Sequence, residues 1–221
     1  MTRDAQAGAE SLGAHVEGPF INPVKNGIHK VDVLQVPTSI AALEACYGVE
    51  NLKATHSRPA SVKYITLAPE LAPPNSSLIR DLTSRGIIVS IGHSNASHAE
   101  ALKAVKEGAT MITHLYNAMP QPHHRDTGIV GLLGLQDRDG STQTPSFKRP
   151  FFGLIADGIH VHSTMVKLAY RTHPEGCILV TDAMSVLGLP DGEYDWTNGE
   201  VIIKQGPLVT LKGANGKLAG K

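Results

Sequence analysis

Seven acidic and histidine residues follow short apolar runs along this sequence: Glu17, Glu70, His93, His114, Asp157, His160 and Asp182. Glu17, His93 and His114 supply one carboxylate and two imidazoles, a ligand set that binds Zn²⁺ or Fe²⁺ and leaves a coordination position open for water. A structural zinc site would instead use four protein ligands, commonly cysteines. A single histidine after a strand is more often a packed or hydrogen-bonded residue. The recurrence of acidic and histidine residues after several apolar runs favours a catalytic metal site here.

Asp182 has suitable chemistry for a general base beside such a site. A carboxylate next to a metal ion stays ionised, so it takes a proton from water and returns it to a leaving group. The competing interpretation is local, because Thr181, Asp182 and Ala183 would also begin a helix with Asp182 near its cap. Both interpretations stay open on the sequence.

Two further clusters are less specific. Asn117 and Ala118 shortly precede Arg125, so amide groups and a guanidinium could bind an anion such as a phosphate. A solvated loop explains the same residues equally well. The glycine-bearing segment 18–29 could bring His29 back over the site, and the spacing alone indicates this weakly. The remaining histidines are assigned to the surface or to packing: His15, His56, His98, His162 and His173.

Six apolar runs of strand length alternate with turns and helical patterns. They lie at residues 12–16, 62–67, 87–91, 111–115, 152–156 and 177–181. This alternation predicts a parallel sheet of βα units, whose strands converge on one face at their carboxyl ends. Residues far apart in sequence, such as Glu17 and Asp182, would then be neighbours.

Helix signals support the same organisation. Ser97 and Glu100 form a capping box, and Gly108 ends the helix that follows. Residues 39–47, 75–85 and 163–172 show similar start and stop signals. From Asp191 onward the pattern alternates as in a β-hairpin, and residues 136–149 are polar and lack periodicity, which predicts a surface loop.

The overall charge excludes some classes of partner. Twenty Lys and Arg residues balance twenty Asp and Glu residues, so the formal net charge is zero. The field that attracts nucleic acid or an anionic membrane is therefore absent, and no apolar run approaches the roughly 20 residues that span a bilayer. We expect no nucleic-acid partner and no membrane partner.

The cysteines and the first residues indicate a compartment. Cys46 and Cys177 lie in apolar stretches, which predicts buried thiols in a reducing environment. The first residues show no signal-peptide pattern. We therefore expect a cytoplasmic protein.

Seven segments carry a resemblance to a known family, and they occur in the family's order over nearly the whole chain. They are His15-Val-Glu-Gly-Pro-Phe20 with Gly27-Ile-His29, Thr66-Leu-Ala-Pro-Glu70, Gly92-His-Ser-Asn95, Thr113-His-Leu-Tyr-Asn-Ala-Met-Pro120, Ala156-Asp-Gly-Ile-His160, Val180-Thr-Asp-Ala183 and Leu218-Ala-Gly220. With them, the sequence resembles the N-acetylglucosamine-6-phosphate deacetylases of the metal-dependent amidohydrolase superfamily. The segments Thr113–Pro120 and Ala156–His160 together are highly specific to that family.

The resemblance implies a function and a set of site residues. It implies hydrolysis of N-acetylglucosamine 6-phosphate to glucosamine 6-phosphate and acetate, a step of amino-sugar catabolism, with a phosphorylated amino sugar as the small-molecule partner. It makes Glu17, His93 and His114 the ligands of a divalent ion, Zn or Fe, and Asp182 the catalytic acid and base. It places Arg125 and the Asn117–Ala118 region near the 6-phosphate. The implied substrate contacts are His29, Asn117, Ala118, Arg125, Asp157, His160, Leu218, Ala219 and Gly220.

The resemblance also implies a fold: an α/β partial (β/α)₈ TIM-type barrel with about six βα units and a C-terminal β-hairpin extension. Family members carry additional chain on both sides, including a small β-sandwich. We expect residues 1–221 to form one incomplete barrel domain, with residues 190–221 as the appendage and without the sandwich. Family members that bind two metals take the extra ligands from a His-x-His motif on the first barrel strand. We expect that strand to be missing here, so the sequence makes no prediction about a second metal.

Two alternatives remain at this point. One is an amidohydrolase for another cyclic-amide or amino-sugar substrate, which would not need the anion-binding residues 117–125 if that substrate lacked a phosphate. The other is a non-catalytic truncated remnant or a subunit fragment that acts in an assembly, a homo-oligomer included. A barrel typically needs about 250 residues, and six strands in 221 residues fall short of closure.

Overall fold

A computed structural model of the chain describes residues 8–56, 58–136 and 148–220. Its main element is a sheet of six parallel strands in which consecutive strands are neighbours. The strands are β1 (Ala14–Glu17), β2 (Val62–Leu67), β3 (Ile88–Ile91), β4 (Met111–Ile112), β5 (Phe151–Ile155) and β6 (Cys177–Val180). This sequential parallel order is that of a (β/α)₈ barrel. The sheet is open, because β1 and β6 each pair with one strand only among the described residues.

Strand β4 is shorter than the predicted run 111–115. His114 and Tyr116 adopt positive φ angles of 28° and 77°, which turn the chain out of the extended conformation. The amide of Thr113 still donates to the carbonyl of Ile91, and the amide of Leu115 to that of Gly153. The sheet therefore keeps its hydrogen bonds while the side chains of this segment change direction.

Four of the six strands are followed by α-helices. These are α1 (Ile40–Tyr47) and α2 (Val49–Leu52) after β1, α3 (Leu78–Ser84) after β2, α4 (His98–Lys106) after β3 and α5 (Ser163–Thr172) after β5. Ser97 and Glu100 form the predicted capping box of α4. Helix α3 begins three residues later than predicted, because Ser76 forms a turn with Pro73 and its hydroxyl accepts from the amide of Leu78.

The connection after β4 contains a 3₁₀ helix, Val130–Gly134, in place of an α-helix among the described residues. The predicted surface loop 136–149 falls mostly on residues 137–147, which lie outside the described residues. Among the helices of the described chain, none combines the length and apolar character needed to cross a membrane.

The C-terminal part is a second, antiparallel sheet, which confirms the predicted β-hairpin extension and adds a short fourth strand to it. It contains β7 (Gly192–Asp195), β8 (Val201–Gln205), β9 (Leu208–Leu211) and β10 (Leu218–Gly220), in the order β10-β9-β8-β7. Ile202 and Val209 are fully buried and pack against Met184 and Val186, with Ile28 at the edge of this cluster. The small sheet is therefore attached to the segment that follows β6.

The two faces of the main sheet differ in polarity. Leu67 and Ile91 are fully buried in the apolar core beneath the helices. Thr66 and Ser90 alternate with them and so lie on the opposite, inner face. There the hydroxyl of Thr113 lies 2.7 Å from that of Thr66 and 2.6 Å from that of Ser90. The inner face is thus lined by polar groups that satisfy one another beneath the strand ends.

The prediction of buried cysteines is wrong. Cys46 is exposed, because Leu43 and Tyr47 carry the inward face of α1 and Cys46 lies off that stripe. Cys177 is half-buried, since it opens the edge strand β6, which is covered on one side only. Both thiols are free.

Candidate active site

Three side chains from separate strands meet at the carboxyl edge of the main sheet. Glu17 ends β1, His93 follows β3 and His114 follows β4. Oε1 of Glu17 lies 2.7 Å from Nε2 of His93 and 3.5 Å from Nε2 of His114. The two imidazole nitrogens are 2.9 Å apart. The fold therefore brings the sequence-predicted ligand atoms to one point.

The hydrogen bonds of His93 determine which of its nitrogens is free. Its Nδ1 lies 2.6 Å from the carbonyl oxygen of Lys25, which only accepts, so Nδ1 carries the proton. In a neutral ring Nε2 is then a lone pair that faces the Glu17 carboxylate and His114. Electron-pair donors at these separations are stabilised by a cation between them, so the residues fit a divalent ion.

The protonation of the cluster follows from the same contacts. Burial opposes ionisation of Glu17, but hydrogen bonds from His114 and His29 outweigh it and hold the pKa of Glu17 well below its usual range. Burial disfavours the charged form of His114, yet the hydrogen bond and charge of Glu17 raise the pKa of His114 above its ordinary value. Glu17 is the negative centre of the cluster.

His29 offers an alternative third ligand. Its Nε2 lies 3.6 Å from Oε1 of Glu17, and the candidate ligand atoms of Glu17, His29 and His93 all lie within 4.8 Å of one another. The side chain of His29 is 33% exposed, whereas that of His114 is 5% exposed. His114 is the more buried of the two, and its Nε2 lies 3.5 Å from Oε1 of Glu17 and 2.9 Å from Nε2 of His93.

Asp182 lies across the same opening, two residues after β6. It is exposed and its φ is +48°. Its charge contributes to the raised pKa of His114, after the stronger effects of burial and of Glu17. The alternative that Asp182 begins a helix is wrong, because the chain from Thr181 to Met184 is not helical.

Asp157 and His160 form a pair beyond the end of β5. Oδ2 of Asp157 lies 2.7 Å from Nδ1 of His160, and its Oδ1 accepts from the backbone amides of Ile159 and His160 at 2.9 Å each. Burial opposes ionisation of Asp157, but these hydrogen bonds outweigh it and lower its pKa. The pair is thus a fixed unit, with the carboxylate behind the imidazole.

A cavity of about 610 Å³ opens between these groups. This volume suits a small polar ligand. The predicted site residues among those that line it are Glu17, His29, His93, His114, Asn117, Ala118, His160, Asp182, Leu218 and Ala219. A second cavity of about 390 Å³, beneath it, shares Glu17, His114 and Asp182. Residues that span most of the chain thus line one space.

Comparison with known proteins identifies the relatives of this arrangement. No family model matches the chain. It is 46% identical over 187 residues to N-acetylglucosamine-6-phosphate deacetylase of Danio rerio, covering 85% of this chain and 43% of that protein. It is 44% identical over 194 residues to the Homo sapiens enzyme, covering 88% of this chain and 44% of that protein. This chain is a homologue of the N-acetylglucosamine-6-phosphate deacetylases.

Solved structures of these deacetylases share its fold. The Thermotoga maritima enzyme is 33% identical, with a TM-score of 0.74 over 95% of this chain and 50% of that chain. A variant of the Mycobacterium smegmatis deacetylase, in complex with N-acetyl-D-glucosamine-6-phosphate, is 26% identical, with a TM-score of 0.76 over 95% of this chain and 49% of that chain. The chain therefore spans about half the length of the deacetylases it matches, and the partial barrel is confirmed.

Three residues that the resemblance to the deacetylases implies as substrate contacts do not line the larger cavity: Arg125, Asp157 and Gly220. Arg125 is exposed, and its Nη1 lies 2.9 Å from Nε2 of His124. Gly220 is buried beside Met184, where an added Cβ would come within 2.7 Å of that side chain. The substrate roles of these three residues stay predictions.

Several features of the site were missed by sequence reasoning. Trp196, Met184 and Lys30 also line the cavity. Trp196, the single tryptophan of the sequence, lies in the alternating pattern that begins at Asp191, and nothing in that pattern indicated a cavity residue. His15 was assigned to the surface or packing, but its Nε2 lies 2.8 Å from the Thr66 hydroxyl on the inner face of the sheet. Side-chain partners across strands leave no trace in local sequence patterns.

Proposed function

We propose that this chain carries the metal site and the acid–base group of an N-acetylglucosamine-6-phosphate deacetylase. The reaction is hydrolysis of the acetamide of N-acetylglucosamine 6-phosphate to glucosamine 6-phosphate and acetate. The observation that carries the proposal is the convergence of Glu17, His93 and His114 within 2.7 to 3.5 Å, beside Asp182 in one cavity. Carboxylate and imidazole donors on three strands are typical of a catalytic rather than a structural site.

Glu17, His93 and His114 would hold one divalent ion, Zn²⁺ or Fe²⁺. Such an ion, when bound, polarises a carbonyl oxygen and lowers the pKa of water from about 15.7 towards 7. The ligands are kept ready by their surroundings: Lys25 fixes the tautomer of His93, and burial shields His114 from solvent. The three residues leave one face open towards the cavity.

Asp182 would transfer the proton. Its exposed carboxylate takes a proton from the attacking water and passes it to the nitrogen of the leaving amine. Asp182 lines the same cavity as Glu17 and His114, and its charge acts on His114, which supports a role beside the proposed ligands. A single carboxylate then serves as base and as acid in one reaction.

His160 or His29 would help the metal to stabilise the negative oxygen of the tetrahedral intermediate. In its imidazolium form His160 donates from Nε2 while its Nδ1–H stays on Asp157. A well-placed donor to such an oxygen is worth roughly 3 to 4 kcal/mol. Asp157 then acts by orienting His160, which explains why it lies behind the cavity wall rather than in it.

The amino sugar would be oriented by groups at both ends of the cavity. Asn117 and Ala118 lie beside His114, and Leu218 and Ala219 enter from the small sheet. Arg125 would bind the 6-phosphate, for which its exposed guanidinium has the required charge. Binding at the remote phosphate would support the chemistry at the acetamide.

A second candidate is that the chain is inactive alone and acts as one part of an assembly. It is favoured by the pairing of β1 and β6 with one strand each in the part of the chain that the structure describes, and by Leu179 on β6, which is 72% exposed. Loss of a neighbouring strand at each edge would loosen Glu17 and Asp182 together, and a displacement of about 1 Å can cost on the order of 100-fold in rate. In either case we infer one incomplete barrel domain, because Ile28 packs with the small-sheet cluster.

The test is a deacetylation assay on the 221-residue chain and on a version extended at both ends to the length of its relatives. We expect the extended version to deacetylate N-acetylglucosamine 6-phosphate only when loaded with Zn²⁺ or Fe²⁺, and the short chain to be slower and to self-associate. Inactivity of both forms with either metal would contradict the proposed function. A short chain that is monomeric and equally fast would show that the open edges are harmless.

A further inference from the structure

His93 has a backbone conformation that L-residues rarely adopt. Its φ is +46°, and the residue is 5% exposed. A non-glycine residue stays in such a conformation only where several contacts with its surroundings hold it there. The contacts that hold His93 in place are therefore part of the site.

The loop after β1 holds His93 at two points. The backbone amide of Asn22 donates to the carbonyl of His93 over 2.8 Å, and the carbonyl of Lys25 accepts from the ring Nδ1 over 2.6 Å. In the same loop, an added Cβ on Gly27 would lie 3.0 Å from Cε1 of His93. The position of this loop thus sets both the backbone and the ring of His93.

Glu70 joins that loop to the residues after His93. Its Oε1 accepts from Nδ2 of Asn22 over 2.9 Å and from the backbone amide of Asn95 over 2.6 Å. Its Oε2 accepts from the hydroxyl of Ser94 over 2.7 Å. Glu70 lies in the short 3₁₀ helix after β2 (Pro69–Leu71). One carboxylate therefore links the segments that follow β1, β2 and β3.

Glu70 is not among the residues that line the 610 Å³ cavity, so its effect on the site must pass through other residues. Asn22 is itself 8% exposed, and its Oδ1 accepts from the amide of Val24 over 2.9 Å. Hydrogen bonds among partly buried groups of this kind hold a loop more strongly than the same bonds in water. The route from Glu70 to Lys25 therefore runs through a short, well-held turn.

We propose that Glu70 is a positioning residue: through Asn22, Ser94 and Asn95 it fixes His93 in the orientation that binds the metal. The inference rests on the proposed function where it takes His93 as a ligand. The hydrogen bonds of Glu70 with Asn22, Ser94 and Asn95, which we call the clamp, are present in the chain without metal. Residues that orient metal ligands in this way typically change metal affinity by about 10-fold to 100-fold when removed.

A carboxylate suits the clamp best, because it offers two accepting oxygens to three donors. Glutamine would keep one accepting oxygen for Asn22 and Asn95, but it would place an amide NH₂ against the hydroxyl of Ser94. That hydroxyl already accepts from the amide of Ala96 over 3.1 Å. Glu70→Gln should therefore retain most of the clamp, and Glu70→Ala should remove all of it.

The test uses two measurements on the complete 221-residue chain. Hydrogen exchange of the metal-free chain follows the amides of Asn22, Val24, Lys25 and Asn95, and Zn²⁺ affinity is measured by competition with a chromophoric chelator. We expect Glu70→Ala to speed exchange at these amides and to weaken Zn²⁺ binding by about 10-fold to 100-fold. Glu70→Gln should recover most of both. If Glu70→Ala does not fold, Ser94→Ala removes one of the three bonds and should give a smaller change in the same direction.

Glu100→Ala is the matched control. Glu100 caps α4 through the amide and hydroxyl of Ser97, so its loss weakens a nearby helix without touching the loop after β1. It should leave both measurements unchanged. Equal effects of Glu70→Ala and Glu100→Ala, or no effect of Glu70→Ala, would overturn the inference. If the unaltered chain does not bind Zn²⁺ but Glu70→Ala still frees the loop, the clamp stands and the proposed metal chemistry fails.

Discussion

The carboxylate of Asp157 holds the imidazole of His160 in one orientation, with Oδ2 2.7 Å from Nδ1. The side chain of Asp157 is only 4% exposed, and its other oxygen accepts from two backbone amides of the same turn. Three donors thus converge on one buried carboxylate. Any substitution that removes its charge should affect both the stability of the turn and the orientation of His160.

Asp157→Asn should lower the stability of the chain, and the loss relative to the unaltered protein should be larger at neutral pH than in acid. The folded-state pKa of Asp157 is lowered, so its contribution to stability is present above the unfolded pKa of about 3.9 and is lost as pH falls through the folded value. Thermal unfolding between pH 3 and 8 measures this. The difference in Tm should shrink below about pH 4. Asp195→Asn, at an exposed position on β7, is the control and should show little difference throughout.

Asp182→Asn should leave metal content intact while abolishing most turnover. The amide fills the same space and cannot take up and return a proton. Metal analysis and deacetylation rate, both measured on the extended version, separate the two properties. Near-normal turnover would show that another group is the base, and loss of the metal would show that Asp182 is a ligand.

Gly92→Ala should destabilise the chain by about 1 to 3 kcal/mol. A Cβ at Gly92 would lie 2.6 Å from Cβ of Thr113 and 2.9 Å from Cγ2 of Thr66, so the strand ends that carry His93 and His114 would have to separate. Gly134→Ala is the matched control, because nothing lies within 4 Å of its added Cβ. Chemical denaturation measures both. Equal destabilisation would show that crowding beneath the site is unimportant.

Arg125→Ala should mainly weaken binding of the phosphorylated sugar. Its guanidinium is exposed beside His124 and has the charge to bind a phosphate. We expect KM for N-acetylglucosamine 6-phosphate to rise by about tenfold or more, since a charge-assisted hydrogen bond contributes roughly 1.5 to 3 kcal/mol. The preference over unphosphorylated N-acetylglucosamine should narrow. An unchanged preference would remove Arg125 from the phosphate site.

The fold was predictable because its signals are local. Strand β2 and helix α5 have the predicted bounds, and Ser97 with Glu100 caps α4 as expected. Apolar periodicity and capping residues act over a few positions, so a single sequence contains them. The convergence of Glu17, His93 and His114 could also be predicted, since parallel strands bring their carboxyl ends to one edge.

Other features depend on contacts between distant segments and could not be predicted. The positive φ angles of His93, His114 and Asp182 are imposed by their surroundings, and the residue types in these segments do not predict them. Cys46 is exposed because of the direction of the α1 stripe, although its neighbours are apolar. Strand β10 has three residues and forms only by pairing with β9. The contact between Asp157 and His160 likewise depends on side-chain geometry.

We propose that Glu17, His93 and His114 together bind one divalent ion. The most direct test is a crystal structure of the Zn²⁺-loaded chain with anomalous scattering at the zinc edge, supported by Zn²⁺ titration of His114→Ala and His29→Ala. We predict one ion with ligand atoms of all three residues at about 2.0 to 2.2 Å, and a much larger loss of affinity for His114→Ala than for His29→Ala. An ion held by Glu17, His29 and His93 with His114 outside its reach, or unchanged affinity in His114→Ala, would contradict the account.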